Sequence, residues 1–297
     1  MKILIIGSNG FIGSHCVVYF QNKGFEVFQA DIDSSSNENY YQIRNQNSDF
    51  AAPFKEQQFE VCINASGSAH VGFSFESPSQ DFELNVVNVQ KILVAIRDFN
   101  SNCKFINFSS AAVYGNPNVL PINENSVCKP LSPYGFHKLQ SELLLTEYHN
   151  FFGLNTCSLR IFSAYGPGLK KQLFWDLYQK AIQNDVVSLF GTGKESRDFI
   201  FIDDLMQIID LILKKSTFQG SIYNVATQIE TSIAVAARIF IEAFLPEKKI
   251  VFNGEEKQGD PINWLADVEK IKKYGFEPHF NLHLGLKKYV EWLKENE

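Results

Sequence analysis

Two side chains that could move a proton lie four residues apart near the middle of the chain. Tyr134 and Lys138 share one face if this stretch is helical, because residues i and i+4 of a helix are neighbours. Tyrosine has an ordinary pKa of about 10, and a lysine ammonium one turn away favours the phenolate and lowers that pKa. The pair therefore predicts a general acid–base group, which works best with a pKa near the working pH.

A hydroxyl that could hold the reacting oxygen follows a predicted strand upstream of this pair. Ser110 ends the β-forming run 104–109, and ligands bind at the carboxyl ends of parallel strands. The helix itself is predicted over Ser132–Phe151, with Ser132 as N-cap and Pro133 at the first helical position. Taken alone, Tyr134 and Lys138 could also be two exposed residues on the surface of a helix, without a function.

A glycine turn near the N-terminus predicts a dinucleotide site. Gly7, Gly10 and Gly13 follow the apolar run 2–6, which is typical of a buried parallel strand, and apolar residues at helical spacing come next. Strand, glycine turn and helix N-terminus together form a binding site for a pyrophosphate. The spacing is G-x-x-G-x-x-G instead of G-x-G-x-x-G, so a glycine turn without a ligand stays open as an alternative.

An acidic residue after the second predicted strand favours NAD over NADP. Asp31 follows the run 25–30, at the place where this kind of site hydrogen-bonds the ribose 2′-OH. A carboxylate there repels a 2′-phosphate, and no arginine or lysine lies between Asp31 and Asn39. There are two alternatives: Asp33 has this role, or Asp31 is an ordinary carboxylate in a loop.

The bulk properties exclude several classes of protein. The chain has 297 residues and a net charge of −6 without a long basic run, which argues against nucleic acid as a partner. We expect no membrane span and no secretory signal. The number of cysteines is odd, five, and this predicts reduced thiols in the cytoplasm. His70, His137 and His149 lack the spacing of metal ligands, so no metal site is predicted and they are given no special role.

Several further motifs occur in a fixed order. These are Asn64-Ala65-Ser66-Gly67 after a predicted strand, Asp81-Phe82-Glu83-Leu84-Asn85 opening a helix, Leu159–Pro167, Gly191-Thr192-Gly193 with Arg197–Leu205, and Gly259-Asp260 followed by Ala266-Asp267. With these motifs the chain resembles, nearly from end to end, the extended short-chain dehydrogenases/reductases, in the branch of NAD-dependent nucleotide-sugar epimerases and dehydratases similar to UDP-glucose 4-epimerase.

The resemblance implies an α/β fold with a Rossmann-type, doubly wound parallel sheet and a smaller C-terminal α/β substrate lobe. It implies an NAD-binding domain over 1–165, with returns near 199–225, and a substrate lobe that comprises mainly 166–297. It also implies roles for individual residues. Ser110, Tyr134 and Lys138 would be catalytic, and the residues at NAD would be Gly7, Gly10, Phe11, Ile12, Gly13, Asp31, Ala65, Asn85, Tyr134, Lys138 and Phe162.

The resemblance further implies a nucleotide sugar as the partner, a UDP-, dTDP- or GDP-hexose. Its contacts would be Ser110, Tyr134, Ser163, Arg197, Lys257 and Trp264. Two of these depart from the family pattern, since Ser163 and Lys257 stand where asparagine and arginine are usual. Trp264 occupies a position that helps to set the sugar pocket in related 4-epimerases, and its size predicts a sugar that is not bulky at C2.

The residues after Ser110 narrow the predicted activity. Relatives that dehydrate or decarboxylate the sugar carry acids at the places of Ala111 and Ala112, and alanine supplies neither acid nor base. The prediction is therefore NAD-dependent 4-epimerisation of a nucleotide-linked hexose, an isomerase reaction of carbohydrate metabolism. An NAD(P)H-dependent 4-keto-sugar reductase and a catalytically silent dinucleotide sensor are the alternatives.

The resemblance also predicts a homodimer in which two helices from each copy form a four-helix bundle. Two apolar stripes could make this contact. The first comprises Phe82, Val86, Val89, Leu93 and Ile96, and the second Leu143, Leu144 and Tyr148.

Overall fold

The computed structural model describes residues 1–44, 48–255 and 258–297. Within them the strands are β1 (Lys2–Ile6), β2 (Glu26–Asp31), β3 (Tyr40–Gln42), β4 (Val61–Asn64), β5 (Lys104–Ser110), β6 (Asn155–Ile161), β7 (Ser163–Tyr165), β8 (Val186–Leu189), β9 (Ser196–Phe201), β10 (Gln219–Val225), β11 (Glu230–Ser232) and β12 (Lys249–Phe252). The helices are α1 (Phe11–Asn22), α2 (Ala51–Glu56), α3 (Val71–Glu76), α4 (Pro78–Phe82), α5 (Asn88–Phe99), α6 (Pro133–Phe152), α7 (Gln172–Gln183), α8 (Ile202–Lys215), α9 (Ile233–Phe244), α10 (Glu269–Lys272) and α11 (Leu282–Asn296). None of these helices is both long enough and apolar enough to span a bilayer.

The contacts of the chain divide it into two compact units. The first unit comprises Met1–Gly115, Cys128–Arg160 and Leu213–Tyr223. The second comprises Asn116–Val127, Ile161–Ile212 and Asn224–Glu297. Each unit mixes helices with strands, as the predicted α/β class requires.

The central sheet has seven strands in the order β10-β6-β5-β4-β1-β2-β3. β1 pairs in parallel with both β2 and β4, and the pairs β2–β3 and β4–β5 are parallel as well. The strand order changes direction between β1 and β4, which is the position where doubly wound sheets bind ligands at the carboxyl ends of the strands. The predicted Rossmann-type sheet is therefore confirmed.

The first strand shows why this sheet forms. Ile3, Leu4 and Ile5 are completely buried, as expected for a strand that helices cover on both faces. The two neighbouring strands, β4 and β5, continue the same apolar pattern, with Ile63 and Phe105 also at 0% exposure. Burial of such side chains is the main favourable term that holds the sheet and its helices together.

The predicted acid–base helix is present as α6. It begins at Pro133, directly after Ser132, whose hydroxyl accepts a hydrogen bond from the Gly135 N–H at 3.2 Å. It ends at Phe152, and the next residue, Gly153, has φ = +70°, the left-handed conformation that glycine tolerates after a helix end. The sequence-based limits of Ser132–Phe151 differ from the observed ones by one residue at each end.

The long helix predicted from about residue 80 has an unexpected interruption. A π-helical segment, Glu83–Val87, separates α4 from α5. Such segments occur mostly as single turns within α-helices and often at functional sites, because they change the direction in which side chains point. Asn85, one of the predicted NAD contacts, lies in this segment.

The second unit contains two small sheets. β9 pairs in parallel with β7 and antiparallel with β11, while β8 and β12 form a parallel pair. A cluster of aromatic rings fills its core, in which Tyr165, Phe174 and Phe199 pack against one another. The abundance of phenylalanine in the sequence is thus explained largely by packing.

Candidate active site

The glycine turn after β1 lies in close contact with the loop that follows β4. Gly7 has φ = +80°, and a Cβ on it would lie 2.5 Å from the Ser66 nitrogen. A Cβ on Gly13 would lie 1.9 Å from the Gly7 carbonyl oxygen. Glycine is required at both positions, since any side chain would separate the backbone segments that approach here. Phe11 and Ile12 begin α1, so the N–H groups of its first turn lie beside the loop and can bind an anion.

Asp31 ends β2 beside this turn. One carboxylate oxygen accepts a hydrogen bond from the Asn9 N–H at 2.7 Å, and the other accepts from the Ile32 N–H at 2.7 Å. Asp33 lies near as well, and it accepts a hydrogen bond from the Asn9 side chain at 3.2 Å. A carboxylate oxygen can accept more than one hydrogen bond, so Asp31 can also bind the two ribose hydroxyls of an adenosine.

Two buried polar side chains near the sheet edge suit a dinucleotide. The amide of Asn85 is 1% exposed, and neither its nitrogen nor its oxygen has a hydrogen-bond partner among the described residues. The buried hydroxyl of Ser8 likewise lacks a partner in the described chain. Buried polar groups without partners are rare in proteins, and a ligand commonly explains them. The glycine turn, Asp31 and Asn85 therefore fit NAD.

Ala65 follows β4 at the same edge of the sheet, where its N–H donates to the Ile6 carbonyl at 2.8 Å. A Cβ on the nearby Gly67 would lie 2.5 Å from the Asn85 side-chain oxygen. Glycine thus leaves room for this amide between the loop after β4 and the π-helical segment. Gly7, Gly13, Ala65 and Asn85 consequently belong to one site in the first unit.

The three predicted catalytic residues also come together in the first unit. Ser110 ends β5, and the Tyr134 hydroxyl makes a hydrogen bond with its side chain. The Lys138 ammonium donates to the Phe108 carbonyl at 2.9 Å and lies 5.9 Å from the centre of the Tyr134 ring. Tyr134 and Lys138 are only 7% and 6% exposed. This arrangement can exchange a proton with an oxygen that binds beside Ser110.

The pKa of Tyr134 differs from the sequence-based expectation. The pKa is raised to about 12, with burial as the largest cause and the negative charge of Asp81 as a smaller one, while the hydrogen bond with Ser110 lowers it. Burial opposes the charged phenolate because a buried ion loses its hydration. The expected lowering of the Tyr134 pKa is therefore not found for the chain by itself, because burial outweighs the other causes.

A buried polar network lies next to the catalytic residues, and the sequence did not reveal it. Glu142 on α6 forms a two-oxygen ion pair with Arg160, with hydrogen bonds at 2.9 and 2.7 Å. Ser109 donates to Glu142 at 2.5 Å, and Arg160 donates to the Tyr114 hydroxyl at 2.8 Å. The network connects α6 with the end of β5, directly before Ser110. A signal for it exists in the sequence, since Glu142 lies one turn beyond Lys138 on the same face.

The second unit contains Phe162, a predicted NAD contact, and the predicted substrate contacts Ser163, Arg197 and Trp264. Phe162 and Trp264 form an edge-to-face ring pair with centroids 5.9 Å apart. The Arg197 guanidinium lies 5.5 Å from the Trp264 ring and donates to the Ser196 carbonyl at 2.8 Å. Three predicted contacts are thus together in this unit, and Ser163 begins β7, which pairs with β9 beside them. Lys257 lies outside the described residues.

Within the described residues no group of histidine, cysteine and acidic side chains is arranged to hold a metal ion. No disulfide joins the cysteines of the described chain, and four of them, Cys16, Cys62, Cys103 and Cys157, are buried.

Comparison with known proteins defines the class to which this fold and site belong. Residues 3–226 match the model of the NAD-dependent epimerase/dehydratase family. The match covers most of the chain and includes the glycine turn, Asp31, Ser110, Tyr134 and Lys138. The chain therefore belongs to this family of enzymes, which uses NAD as cofactor.

Individual relatives are similar over their whole lengths. A putative UDP-glucose 4-epimerase of Methanocaldococcus jannaschii is 29% identical over 312 residues, which cover 99% of both chains. The crystal structure of UDP-glucuronic acid 4-epimerase from Bacillus cereus, in complex with UDP-glucuronic acid and NAD, has a TM-score of 0.89 at 26% identity and full coverage of both chains. UDP-glucose 4-epimerase from Thermotoga maritima with UDP-glucose has a TM-score of 0.88 at 26% identity, with 99% of each chain covered.

The buried ion pair leads to a prediction about stability. In a Glu142→Ala variant the Arg160 guanidinium, 3% exposed, loses its carboxylate partner. Leaving one member of a buried ion pair alone costs about 3–5 kcal/mol, so we expect the free energy of unfolding in urea to fall by that amount. Glu147→Ala, at an exposed position on the same helix, is the control and should change it by less than about 0.5 kcal/mol. Equal effects of the two changes would contradict the prediction.

Proposed function

We propose that this enzyme interconverts two nucleotide-linked hexoses that differ in configuration at C4. One observation carries the proposal. Ser110, Tyr134 and Lys138 form an intact proton-transfer set, while the two residues after Ser110 are Ala111 and Ala112, which provide no further acid or base. A site with one acid–base group suits a reaction that removes and returns a proton at a single oxygen.

Each residue of the set has a proposed role. The Tyr134 oxygen takes the proton of the C4 hydroxyl and later returns it. Ser110 hydrogen-bonds the same sugar oxygen and keeps it in reach of Tyr134, and the Lys138 ammonium stabilises the phenolate and binds the ribose next to the nicotinamide. NAD bound at this site would supply the acceptor, and later the donor, of the hydride at C4. No net oxidation results, so we expect NAD to stay bound between turnovers.

We assign the cofactor to the first unit, with the residues Gly7, Gly10, Phe11, Ile12, Gly13, Asp31, Ala65 and Asn85. Phe162, in the second unit, is proposed as a further NAD contact. The nucleotide sugar is assigned to Ser163, Arg197, Lys257 and Trp264. A guanidinium is suited to bind a diphosphate, because its fork of N–H donors matches two phosphate oxygens. The relatives described above act on or bind UDP-sugars, so a UDP-hexose is the first candidate for the substrate, and we expect the reaction to occur in the cytoplasm.

The role of Tyr134 can be tested directly. Tyr134→Phe removes only the hydroxyl, so we expect turnover of UDP-galactose to fall by at least about a hundredfold while NAD still binds. The assay follows UDP-glucose formation in the purified enzyme, and NAD retention is measured by absorbance after gel filtration. Tyr19→Phe, on α1, is the control. Undiminished turnover in Tyr134→Phe would remove the tyrosine from the mechanism.

The same assay separates the alternative functions. Ser163, where the family usually has asparagine, keeps a 4-keto-sugar reductase under consideration. Incubation with UDP- and dTDP-hexoses, with and without added NADH, distinguishes the three cases. Interconversion without loss of NADH indicates an epimerase, and oxidation of NADH indicates a reductase. Binding without either reaction indicates a sensor.

Trp264 is proposed to limit the size of the sugar at C2. Its ring is 9% exposed and packs against both Phe162 and Arg197, so it has little freedom to move away from a larger sugar. We expect UDP-glucose and UDP-galactose to react faster than their N-acetylated forms.

Trp264→Ser should shift the ratio of kcat/KM toward the N-acetylated sugars by roughly tenfold or more, because it opens the volume that an acetamido group needs. Trp175→Ser, on α7, removes an indole elsewhere in the second unit and should leave the ratio unchanged. Equal or better activity of the unchanged enzyme on the N-acetyl sugars would show that this assignment is wrong.

We also propose that the enzyme is a homodimer, but the face that carries it is narrower than the sequence predicts. Val89, Leu93, Ile96 and Tyr148 pack into the core of the first unit itself. Four of the predicted residues line one surface groove, and these are Phe82, Val86, Leu143 and Leu144. Of these, Val86 is largely buried and Leu144 also packs against the core. Phe82 and Leu143 are 39% and 62% exposed, which is unusual for such large apolar side chains next to each other.

Light scattering at micromolar protein should therefore give twice the mass of the 33.8 kDa chain. Leu143→Glu buries a charge in the proposed contact and should produce monomers. Val18→Glu, at a 57% exposed position on α1, is the matched control and should remain dimeric. A monomeric mass for the unchanged protein would refute the dimer.

A further inference from the structure

A chain of buried hydrogen bonds runs from β4 through β5 to α6. Asn64 ends β4 and lies directly opposite Asn107 on β5 in the register of the two strands. The Asn64 amide donates to the Asn107 side-chain oxygen at 2.8 Å, and the Asn107 amide donates to the Ser141 hydroxyl on α6 at 3.2 Å. The three residues are 2%, 1% and 0% exposed. The chain of hydrogen bonds therefore lies in the interior of the first unit.

Both ends of this chain reach the candidate active site. The Asn64 side-chain oxygen accepts from the Ser66 N–H at 3.2 Å and from the Ser66 hydroxyl at 2.5 Å. Ser66 lies against the glycine turn, because a Cβ on Gly7 would come within 2.5 Å of its nitrogen. At the other end the Ser141 hydroxyl donates to the Lys138 carbonyl at 2.7 Å. The hydrogen bonds thus connect the glycine turn with the helix turn that carries Lys138.

The direction of the hydrogen bonds is the same from one end to the other. The backbone N–H of Ser66 can only donate, and the backbone carbonyl of Lys138 can only accept. Every group between them must therefore donate towards α6, which fixes the orientation of both asparagine amides. Hydrogen bonds that follow one another in this way polarise each other and strengthen the chain.

Two consecutive residues of β5 hold Lys138. The ammonium donates to the Phe108 carbonyl at 2.9 Å, while the carbonyl of Lys138 is bound through Ser141 to Asn107. The side chain of Lys138 and the helix turn from which it extends are thereby anchored to the same short piece of strand. A shift of this turn relative to β5 would move the ammonium as well.

Asparagine is an unexpected residue at both strand positions. Strands that are buried on both faces are usually continuous apolar runs, and asparagine is depleted in strands. A buried amide is costly unless it is hydrogen-bonded, and an apolar side chain of similar size would avoid that cost. Residues that break a local rule of this kind are expected at functional sites. The position of Asn107 between the glycine turn and Lys138 indicates which site it serves.

We propose that Asn107 is a positioning residue for cofactor binding, which holds Lys138 at a fixed place relative to the glycine turn. Its link to the turn runs through Asn64 and Ser66, and its link to the lysine runs through Ser141. The ammonium is then available to the ribose next to the nicotinamide while the turn binds the pyrophosphate. The inference rests on the proposed function for this contact of Lys138, and its tests measure the binding of nucleotides instead of turnover.

The first test compares two nucleotides that differ in the part that Lys138 would bind. Asn107→Leu keeps the approximate volume of the side chain and removes both of its hydrogen bonds. We expect NAD to leave the loaded enzyme about three- to tenfold faster, which is the effect of losing roughly one hydrogen bond, as measured by exchange against labelled NAD. ADP has a pyrophosphate but no nicotinamide ribose, so its affinity for the nucleotide-free enzyme should stay nearly unchanged. An equal loss of NAD and ADP binding overturns the proposal.

Thr156→Val is the matched control for the loss of a buried hydrogen bond. The Thr156 hydroxyl on β6 is 0% exposed and donates to the Leu145 carbonyl of α6 at 3.0 Å. Leu145 lies about two helix turns beyond Lys138. Thr156→Val should therefore lower the free energy of unfolding in urea while NAD release keeps its rate. Release that is accelerated by the same factor in Thr156→Val and Asn107→Leu contradicts a specific role for Asn107.

Ser141→Ala breaks the chain of hydrogen bonds at α6 with a smaller change in the core. It removes a single hydroxyl and should also accelerate NAD release, because the Lys138 carbonyl loses its link to Asn107. Unchanged NAD release in Ser141→Ala overturns the proposal, whether or not Asn107→Leu folds.

A double-variant cycle determines whether Asn107 acts through Lys138. Lys138→Met removes the ammonium and keeps a long unbranched side chain. If Asn107 positions this ammonium, the effect of Asn107→Leu on the affinity for NAD, measured by calorimetry, should disappear in the Lys138→Met background. An equal effect with and without the ammonium shows that Asn107 supports the fold alone, and this result overturns the proposal.

These results can be told apart from a failure of the proposed function. If no hexose is converted but the cycle shows the expected coupling, the proposed function fails and Asn107 remains a positioning residue for NAD. If UDP-galactose is converted and Asn107→Leu leaves NAD binding unchanged, the epimerase activity stands and the role of Asn107 is overturned.

Discussion

The site depends on a helix that buries polar groups along its inner face. α6 places Tyr134, Lys138, Ser141 and Glu142 in the interior, where each needs a partner because unpaired buried polar groups are costly. The partners come from the neighbouring strand and its end: the Phe108 carbonyl for Lys138, Asn107 for Ser141, and Ser109 for Glu142. Hydrogen bonds are directional, so these contacts fix the rotation of α6 relative to β5 more strictly than apolar packing does. The hydrogen bond between Tyr134 and Ser110 is a consequence of that alignment.

The sequence predicted those parts of the site that local rules govern. The apolar run of β1, the glycine turn after it and the spacing of Tyr134 and Lys138 each follow from a short stretch of chain. Helix capping by Ser132 and Pro133 is equally local, and α6 was located to within one residue at each end. The order of the motifs then indicated the sheet, because a parallel sheet brings the ends of its strands to one edge.

The features that the sequence did not predict depend on contacts between distant residues. The side chains of Asp81 and His137 lie 2.6 Å apart although the residues are separated by 56 positions, and nothing in either local stretch indicates that they meet. The pairing of Glu142 with Arg160 also depends on such a contact, although the position of Glu142 one turn beyond Lys138 already indicates that it lies on the inner face of the helix. The π-helical segment was not predicted either, and the raised pKa of Tyr134 is a tertiary effect because its largest cause is burial.

Burial of Tyr134 has two opposite effects on its chemistry. It raises the pKa to about 12, which by itself makes the tyrosine a poor base at neutral pH. The same exclusion of water lowers the local dielectric constant and strengthens every interaction with a neighbouring charge. A nearby fixed charge such as that of Lys138 can then influence the ionisation of the tyrosine far more strongly than it would in water.

The turn after Ser110 limits the reactions that the site can catalyse. The Ser110 oxygen accepts a hydrogen bond from the Ala112 N–H at 3.1 Å, which closes a short 3-10 turn over Ala111–Val113. A hydroxyl has one donor and two acceptor positions, so Ser110 can still donate its proton toward Tyr134 or a sugar oxygen. Ala111 is completely buried, and an acid in its place would need a cation to neutralise it. Elimination of water would require such an additional group, whereas inversion at one carbon needs one acid–base group for the proton of its oxygen, and bound NAD would supply the hydride exchange at that carbon. The packing of this turn thus favours epimerisation for a physical reason that is separate from the resemblance to known enzymes.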